Sequence, residues 1–427
     1  MRFTIAIPRQ LKYHLEVDLK NLRMKILFVC HRHPYPPKRG GKIRPFNIIK
    51  HWSDQGHEVH VCSLTRTEIE KIEGAGLAQF CSTNFSAPVE PAMQAVRMVS
   101  RLATSTPSSM GFFYSPVLRK HITELLAKIN FDLIFVHCSS VAQYVAQITS
   151  VPKILDYGDI DSQKWLEYVR YKPFPLSAGY WLEGRKLMAA ERRLADMFDL
   201  CTATTRGELE TLREIRPSVN SDWFPNGVDA EFFTPVRSYD PDLISFVGRF
   251  DYFPNQEAVK RFVREVFPLV RKQNKNAKFA IVGAEPPQSI KDLADVDGVR
   301  VTGTVPDIRE FVSSSAVNVA NLAIARGTQN KILEAMAMGV PVISSLAAAK
   351  GVDAVVGKHL IACDDPDQTA HEILRLMNDK NARDALGYAG RNRVLSNHSW
   401  PASMQKLDLI ISQKLPNLHT TRLRGVA

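Results

Sequence analysis

Residues 326–343 read Arg326-Gly327-Thr328-Gln329-Asn330-Lys331-Ile332-Leu333-Glu334-Ala335-Met336-Ala337-Met338-Gly339-Val340-Pro341-Val342-Ile343. A polar, glycine-containing loop opens a helical run, and Gly339 and Pro341 stop that run in the usual order. A short apolar strand then begins at Val340. The free N–H groups at the start of such a helix form an anion site, and Arg326 and Lys331 add positive charge to it. Lys331 and Glu334 are three residues apart and share one face of the first turn. A cation beside a carboxylate at a helix N-terminus suits a nucleotide: the cation meets phosphate, the carboxylate meets ribose hydroxyls. On spacing alone, a surface helix with an incidental Lys/Glu pair explains the stretch equally well.

Outward from this stretch, strands and helices alternate. In the second half, Leu243–Val247, Lys278–Val282, Val299–Thr302, Val317–Ala320 and Val340–Ser344 read as strands. Helices are predicted at about Gln256–Gln273, Asp307–Ser314, Lys331–Met338 and Asp367–Leu376. The first half repeats the pattern without repeating the sequence. Its strands are Lys25–Cys30, Glu58–Leu64, Leu133–His137 and Lys153–Asp156, with helices at about Arg44–Gln55 and Leu118–Ile129 and another from Val141. This alternation predicts an α/β chain with two parallel, doubly wound sheets. A proline-rich stretch over about Ile215–Asp242 reads as the linker, and 427 residues suit two domains. Two such lobes imply a cleft facing the carboxyl ends of both sheets.

Composition narrows the class. Apolar residues make up 45% and charged residues 23%, as in a soluble globular protein, and no apolar run reaches the 18 or more residues of a membrane span. Residues 1–23 carry Arg9, Lys12, Glu16 and Asp18 among short apolar runs, so they do not read as a secretory signal. They are expected to be a disordered extension or a mis-called start, with Met24 opening the first strand. Net charge is +11; the first 23 residues hold five Lys/Arg and two Asp/Glu, leaving +8 for the rest. That surplus suits phosphate-rich ligands or an anionic membrane surface, and no nucleic-acid-binding module accompanies it. Cys30, Cys62, Cys81, Cys138, Cys201 and Cys363 lack zinc or redox spacing and read as reduced core thiols. The loop after the first strand, His31 to Gly41, is not a GxGxxG fingerprint, and Gly41-Lys42-Ile43 is not a P-loop. Hydride transfer and ATP hydrolysis therefore fall in rank.

With these residues in view, the 326–343 segment resembles the donor-binding signature of glycosyltransferase family 4, retaining enzymes of the GT-B fold. Pro225-Asn226-Gly227-Val228-Asp229 resembles the interdomain motif of that family. Phe246-Val247-Gly248-Arg249 resembles its first strand and phosphate arginine, and Ile281-Val282-Gly283 its second strand. Val301-Thr302-Gly303-Thr304-Val305 resembles the strand and loop that hold the base, and Ser399-Trp400 the start of the terminal helix. Within the family, Met24–Gly41, Leu155–Trp165 and the helix around Ala190–Leu194 resemble sugar transferases associated with exopolysaccharide and PEP-CTERM/exosortase systems.

The resemblance implies a GT-B architecture, two Rossmann-like doubly wound domains facing a central cleft. An N-terminal acceptor-side domain would span residues 24–215 and a nucleotide-sugar-binding domain 216–395. A helix over 396–415 would cross back to the first domain, leaving 416–427 as a tail. Arg249 and Lys331 would meet the donor diphosphate, Glu334 the ribose and Val305 the base. Arg326, Gly327 and Thr328 would approach the donor, and the N–H groups of Gly40 and Gly41 would close over its phosphate, with Lys38, Arg39 and Arg44 beside them, either assisting at the phosphate or simply solvated. Asp159 and Asp161 are candidate acceptor or sugar contacts, grouped with Arg249 and Lys331 as catalytic candidates; Asp156 and His137 stand close by. DxD also occurs at 240–242, 295–297 and 365–367, so Asp159-Ile160-Asp161 is not assigned to a metal.

Two departures matter. The family places Glu at both ends of a Glu-x7-Glu motif, and here Arg326 occupies the first end. The lysine that commonly follows the phosphate arginine is missing, with Asn255 near its place. The implied reaction is front-face transfer with retention, needing neither cofactor nor metal, from a nucleotide-diphosphate sugar to a saccharide or lipid-linked saccharide. A cytoplasmic location follows, peripheral at the inner face of the membrane. The basic segment Tyr180–Phe198 reads equally as a lipid-binding amphipathic helix and as ordinary packing. Two rival functions stay open: a non-catalytic GT-B scaffold of polysaccharide assembly, and a nucleotide-sugar epimerase.

Overall fold

The computed structural model describes residues 23–37, 40–235 and 238–418. The extension expected over residues 1–23 falls, except for Arg23, outside the described residues, as do Lys38, Arg39 and the tail beyond residue 418. The chain divides into two compact units. One holds the described residues up to Thr202, Leu212–Asp222 and those from Asp408 onward; the other holds Ala203–Thr211 and Trp223–Leu407.

The first sheet has seven strands in the order β3-β2-β1-β4-β5-β6-β7. These are β1 (Lys25–Cys30), β2 (Glu58–Thr65), β3 (Thr83–Pro88), β4 (Leu133–His137), β5 (Lys153–Gly158), β6 (Leu200–Ala203) and β7 (Ser221–Trp223). From β3 through β5 every pairing is parallel. Strands β1, β4 and β5 are buried along almost their whole length, which is why they read as continuous apolar runs. Phe28, Trp52 and Phe135 pack ring against ring, tying the helix Gly40–Asp54 to the sheet.

The second sheet has six strands, all parallel, in the order β10-β9-β8-β11-β12-β13. They are β8 (Asp240–Val247), β9 (Lys278–Val282), β10 (Val299–Gly303), β11 (Ser315–Ala320), β12 (Val342–Ser344) and β13 (Ile361–Ala362). In each sheet the chain builds outward on one side and then returns beside its first strand. The order therefore reverses between β1 and β4 and between β8 and β11. Such switch points open a crevice at the carboxyl ends of the strands, where α/β proteins bind ligands.

Several local expectations change. The predicted helix from Val141 is a short 3₁₀ segment, Ser139–Tyr144. Tertiary bonds hold it: the Tyr144 hydroxyl donates to the Phe113 carbonyl and accepts from the Ser115 N–H, and Gln143 donates to the carbonyls of Met110 and Ser140. The predicted helix Gln256–Gln273 begins earlier, at Phe253, and loosens into a π-helical turn at Phe262–Val266. Pro268 follows that turn and cannot donate a backbone hydrogen bond, so the ladder widens around it. Strand β3 was not anticipated because Thr-Asn-Phe-Ser-Ala-Pro has little apolar alternation; as an edge strand it is held by its ladder with β2. The region read as a linker contains β7 and the start of β8.

The helix containing Tyr180–Met197 runs over Leu176–Met197. Leu187, Leu194 and Phe198 are in the core, so the packing reading holds for these side chains and the lipid reading does not. Four cysteines, Cys30, Cys62, Cys201 and Cys363, are buried, and all six are free thiols. No helix among the described residues is long and apolar enough to cross a membrane.

Candidate active site

In the second unit the site forms at the β8/β11 switch point. Gly248-Arg249 directly follow strand β8, and the loop after β11 leads into the helix Asn330–Ala337. Gly248 and Gly283 make this edge compact. A Cβ on Gly283 would fall inside the carbonyl oxygen of Gly248, and Gly283 has φ 146°. A Cβ on Gly248 would sit 2.7 Å from Asn255 Nδ2 and 3.0 Å from Lys331 Nζ.

Lys331 Nζ donates to Asn255 Oδ1 at 2.6 Å and lies 4.3 Å from the centre of the Phe246 ring. Asn255 Nδ2 in turn donates to the carbonyl of Arg249 at 2.7 Å. Asn255, which stands near the place of the missing lysine, thus ties the helix lysine to the strand that carries the arginine. Lys331 and Glu334 are only partly exposed, each surrounded by protein on most sides. Burial pushes the Lys331 ammonium down to about 7 and the Glu334 carboxyl up to about 7, each opposed by the charge of the other. No hydrogen bond reaches the Glu334 carboxylate from the described residues.

Arg249 has a side chain 36% exposed, hydrogen-bonded to Asp251 at 3.1–3.2 Å and paired with Glu285 at 2.7 Å. Its pKa is raised, chiefly by the bond to Asp251. Glu285 adopts φ 58°, a left-handed conformation uncommon for glutamate. At the start of the helix, Thr328 Oγ1 and Asn330 Oδ1 are shielded from solvent yet have no hydrogen-bond partner among the described residues. Orphaned buried oxygens are uncommon, and here they sit beside helix N–H groups. Gly327 has φ 61°, and its carbonyl lies so close to Gly351 that no side chain fits there. Arg326 is turned toward the buried Glu208, Nη1 to Oε1 3.7 Å. Val305 is half-buried against the core of the unit.

The first unit carries its own polar cluster at the β1/β4 switch point. Asp156, fully buried, accepts from Arg44 Nε at 2.8 Å and Nη2 at 2.9 Å, from His137 Nδ1 at 2.8 Å, and from Thr202 Oγ1 at 2.8 Å. Its carboxyl stays well below the usual range, because Arg44 and His137 outweigh the cost of burial. The expectation that Arg44 is either solvated or a phosphate contact is therefore corrected. It is buried and committed to Asp156, since a guanidinium in a dry interior needs a bidentate carboxylate. Asp156 is likewise occupied and inaccessible. His31 follows β1, 5.8 Å ring to ring from His137; burial holds it well below the usual histidine range. Gly41 lies beside His31 at the start of the helix Gly40–Asp54. Asp159 is exposed; Asp161 is half-buried, its carboxyl pushed up by burial and by Asp159, with Lys164 and His137 opposing.

The structure thus brings together Arg249, Lys331, Glu334, Gly327 and Thr328 in one unit. Gly41, His137, Asp159 and Asp161 lie around the switch point of the other. Asn255, Glu285 and His31 were not anticipated as site residues. Only Asn255 left a sequence signal, through the absent lysine.

Comparison with known proteins agrees with this fold. The description "Glycosyl transferases group 1" matches residues 241–379, and "Glycosyltransferase Family 4" matches residues 38–232. The chain belongs to the family 4 glycosyltransferases. It is a GT-B glycosyltransferase by fold as well. The Anabaena protein Alr3699/HepE, solved with UDP-glucose, is 14% identical, with a TM-score of 0.63 over 92% of this chain and 100% of that one. Sucrose-phosphate synthase from Thermosynechococcus elongatus is 17% identical, with a TM-score of 0.66 over 92% and 100%. A glycosyltransferase from Rickettsia africae ESF-5 is 14% identical, with a TM-score of 0.61 over 92% and 99%. No curated protein matches the sequence. Within this glycosyltransferase the Arg249–Lys331–Glu334 group lies in the portion matched by the group 1 description, and the Asp156 cluster in the family 4 portion.

Proposed function

We propose that this glycosyltransferase takes a sugar from a nucleotide-diphosphate donor bound in the second unit and transfers it with retention of anomeric configuration. The observation that carries this reading is the helix start at Asn330, which carries Lys331, Glu334 and the unpartnered Thr328 Oγ1, with Asn255 linking Lys331 to the carbonyl of Arg249. A diphosphate there takes hydrogen bonds from Arg249, Lys331 and helix N–H groups, and Thr328 gains a partner for its hydroxyl. Glu334, with no hydrogen bond of its own, accepts from the ribose hydroxyls. Val305 lies against the base. Arg326, in place of the usual Glu, changes the sugar end of the site.

Charge builds on the leaving diphosphate as the glycosidic bond breaks. The cations and helix dipole stabilise it in place, without a cofactor or metal in this reading. Asp159 and Asp161 contact the acceptor. The acceptor is a saccharide or lipid-linked saccharide of exopolysaccharide biosynthesis, met in the cytoplasm at the inner face of the membrane. Support comes from the family membership and from the UDP-glucose bound to the Anabaena relative.

The test is thermal stabilisation by a panel of nucleoside diphosphates and nucleotide sugars, with EDTA present. A ligand at 100 times its Kd stabilises by about 2.7 kcal/mol. A shift that survives EDTA and disappears in Arg249→Ala supports the donor site and names the base. No shift with any nucleotide in a folded sample overturns the reading.

A further inference from the structure

A surface of the first unit, remote in sequence from the donor residues, inverts the usual rule for an amphipathic helix. In the helix Pro91–Arg101 the buried residue is Gln94, while Met93, Val96 and Val99 face solvent, and Leu102, three residues on, is exposed too. Exposed apolar side chains at i, i+3 and i+6 fall within a sector of about 120° and form a ridge rather than scattered single residues, and Leu102 turns from its end toward the next side of the helix. A second exposed apolar group comes from the segment leading into the helix Leu176–Met197: Phe174, 84% exposed, with Leu176, Trp181 and Leu182.

Between the two lies a cavity of about 340 Å³. Met98 and Leu102 line it from one side, Leu182 and Lys186 from the other, with Phe112 and Trp165. Leu102 and Leu182 are also exposed, so the cavity opens onto this surface. Its charged groups are already engaged. Glu183 accepts from the N–H groups of Ser108 and Ser109 at 2.9 and 2.8 Å and from the Ser109 hydroxyl at 2.7 Å. Lys186 Nζ donates to the carbonyls of Arg101 and Leu102 at 3.0 and 2.8 Å. Apart from the Ser108 hydroxyl, which has no hydrogen-bond partner among the described residues, what remains to meet an occupant is hydrocarbon, in a volume of the order that holds small ligands, roughly 300–1,000 Å³.

The charge around this surface is mostly positive, with the exposed Glu90 at the start of the helix Pro91–Arg101 the exception nearest the ridge. Residues 91–112 and 169–182 contain Arg97, Arg101, Arg170 and Lys172 and no Asp or Glu. On the following helix Arg185, Arg192 and Arg193 are exposed, whereas Glu183 and Glu191 are turned inward. Asp196 is paired with Arg216 at 2.6 Å. An apolar ridge edged by cations, with Trp181 and Tyr171 exposed among them, matches the acyl and headgroup zones of an anionic bilayer. We infer that this face docks on an anionic membrane and that the cavity takes up a hydrocarbon chain from it. The inference rests on the first unit alone and deepens the peripheral location proposed above. It also moves the contact away from the core-facing Leu187 and Leu194 that the sequence had suggested.

The test is co-sedimentation of the full chain with vesicles of pure phosphatidylcholine and of phosphatidylcholine containing phosphatidylglycerol. Binding is expected to the anionic vesicles, weakened by salt, and at least tenfold weaker in the double variant Val96→Asp, Val99→Asp. Both positions are exposed, so the variant keeps its melting temperature and its response to nucleotide, which separates failure here from failure of the donor reading. Lipids brominated in the acyl chain should quench tryptophan fluorescence, and part of that quenching should vanish in Trp165→Phe. No binding to anionic vesicles, or equal binding by wild type and the double variant, overturns the inference. So does concentration-dependent self-association that the double variant abolishes, since that assigns the ridge to a second copy of the chain.

Discussion

Replacing Lys331 by Met keeps the bulk of the side chain and deletes its charge, and the consequences run in opposite directions for the free and the ligand-bound protein. In the free protein the ammonium is held against its own burial, with Asn255 Oδ1 at 2.6 Å and the Phe246 ring at 4.3 Å as compensation. Losing the Asn255 bond costs about 1 kcal/mol, while relief of desolvation offsets it, so the unliganded variant should be about as stable as wild type at pH 7. With ligand, a charge-assisted hydrogen bond worth about 1.5–3 kcal/mol disappears, weakening nucleoside diphosphate binding roughly 10- to 150-fold. The pH dependence adds an independent check. Lys331 falls from its ordinary 10.5 to about 7 in the fold, so between those values the unfolded chain binds more protons than the native one. Stability should therefore rise with pH above 7, by up to about 1.4 kcal/mol per unit, and Lys331→Met should flatten that rise. Glu334 acts with the opposite sign, raised from 4.5 to about 7: its contribution is fully present below 4.5 and is lost as pH rises to 7. An anion beside Lys331 restores its proton, so at pH 8 wild type should take up on the order of one proton on binding. Titration calorimetry in two buffers of different ionisation enthalpy reads the proton, and denaturant melts across pH read the stability. Unchanged affinity in the variant together with no proton uptake by wild type would refute the placement of Lys331 at the diphosphate.

Three further outcomes follow from the same geometry. Glu334→Ala removes the acceptor for the ribose hydroxyls and should weaken donor binding roughly 10- to 100-fold, with turnover nearly lost and the melting temperature little changed; unaltered steady-state rates count against the assignment. Gly283→Ala drives a Cβ into the Gly248 carbonyl and should cost about 3 kcal/mol or more in a denaturant melt, whereas Gly303→Ala, which meets no atom within 4 Å, should cost less. Asp156→Ala strands Arg44 in a dry interior and should destabilise by about 3–5 kcal/mol, with Asp156→Asn recovering part of that loss through Thr202 and His137. A chemical-denaturation series on the two variants checks this order.

Both sheets were legible in the sequence because parallel strands covered on both faces must be apolar along their length. Lys25–Cys30, Leu133–His137 and Lys278–Val282 are such strands and are found where the pattern put them. The helix start at Asn330 was legible for a local reason too, since its polar loop, its Lys331–Glu334 spacing and its Gly339 stop lie within eighteen residues. Strand order, and with it the crevices at the two switch points, depends on which strands pair at a distance, and no local pattern carries that information. The same holds for Asn255, which reaches Lys331 across 76 residues, and for Arg44, which finds Asp156 across 112. The ridge Met93–Val96–Val99 makes the point from the other side. Its period announces an amphipathic helix, but periodicity states only that the apolar residues share a face. Whether that face meets the core or the solvent is decided by what the rest of the chain packs beside it, and here the packed residue is Gln94.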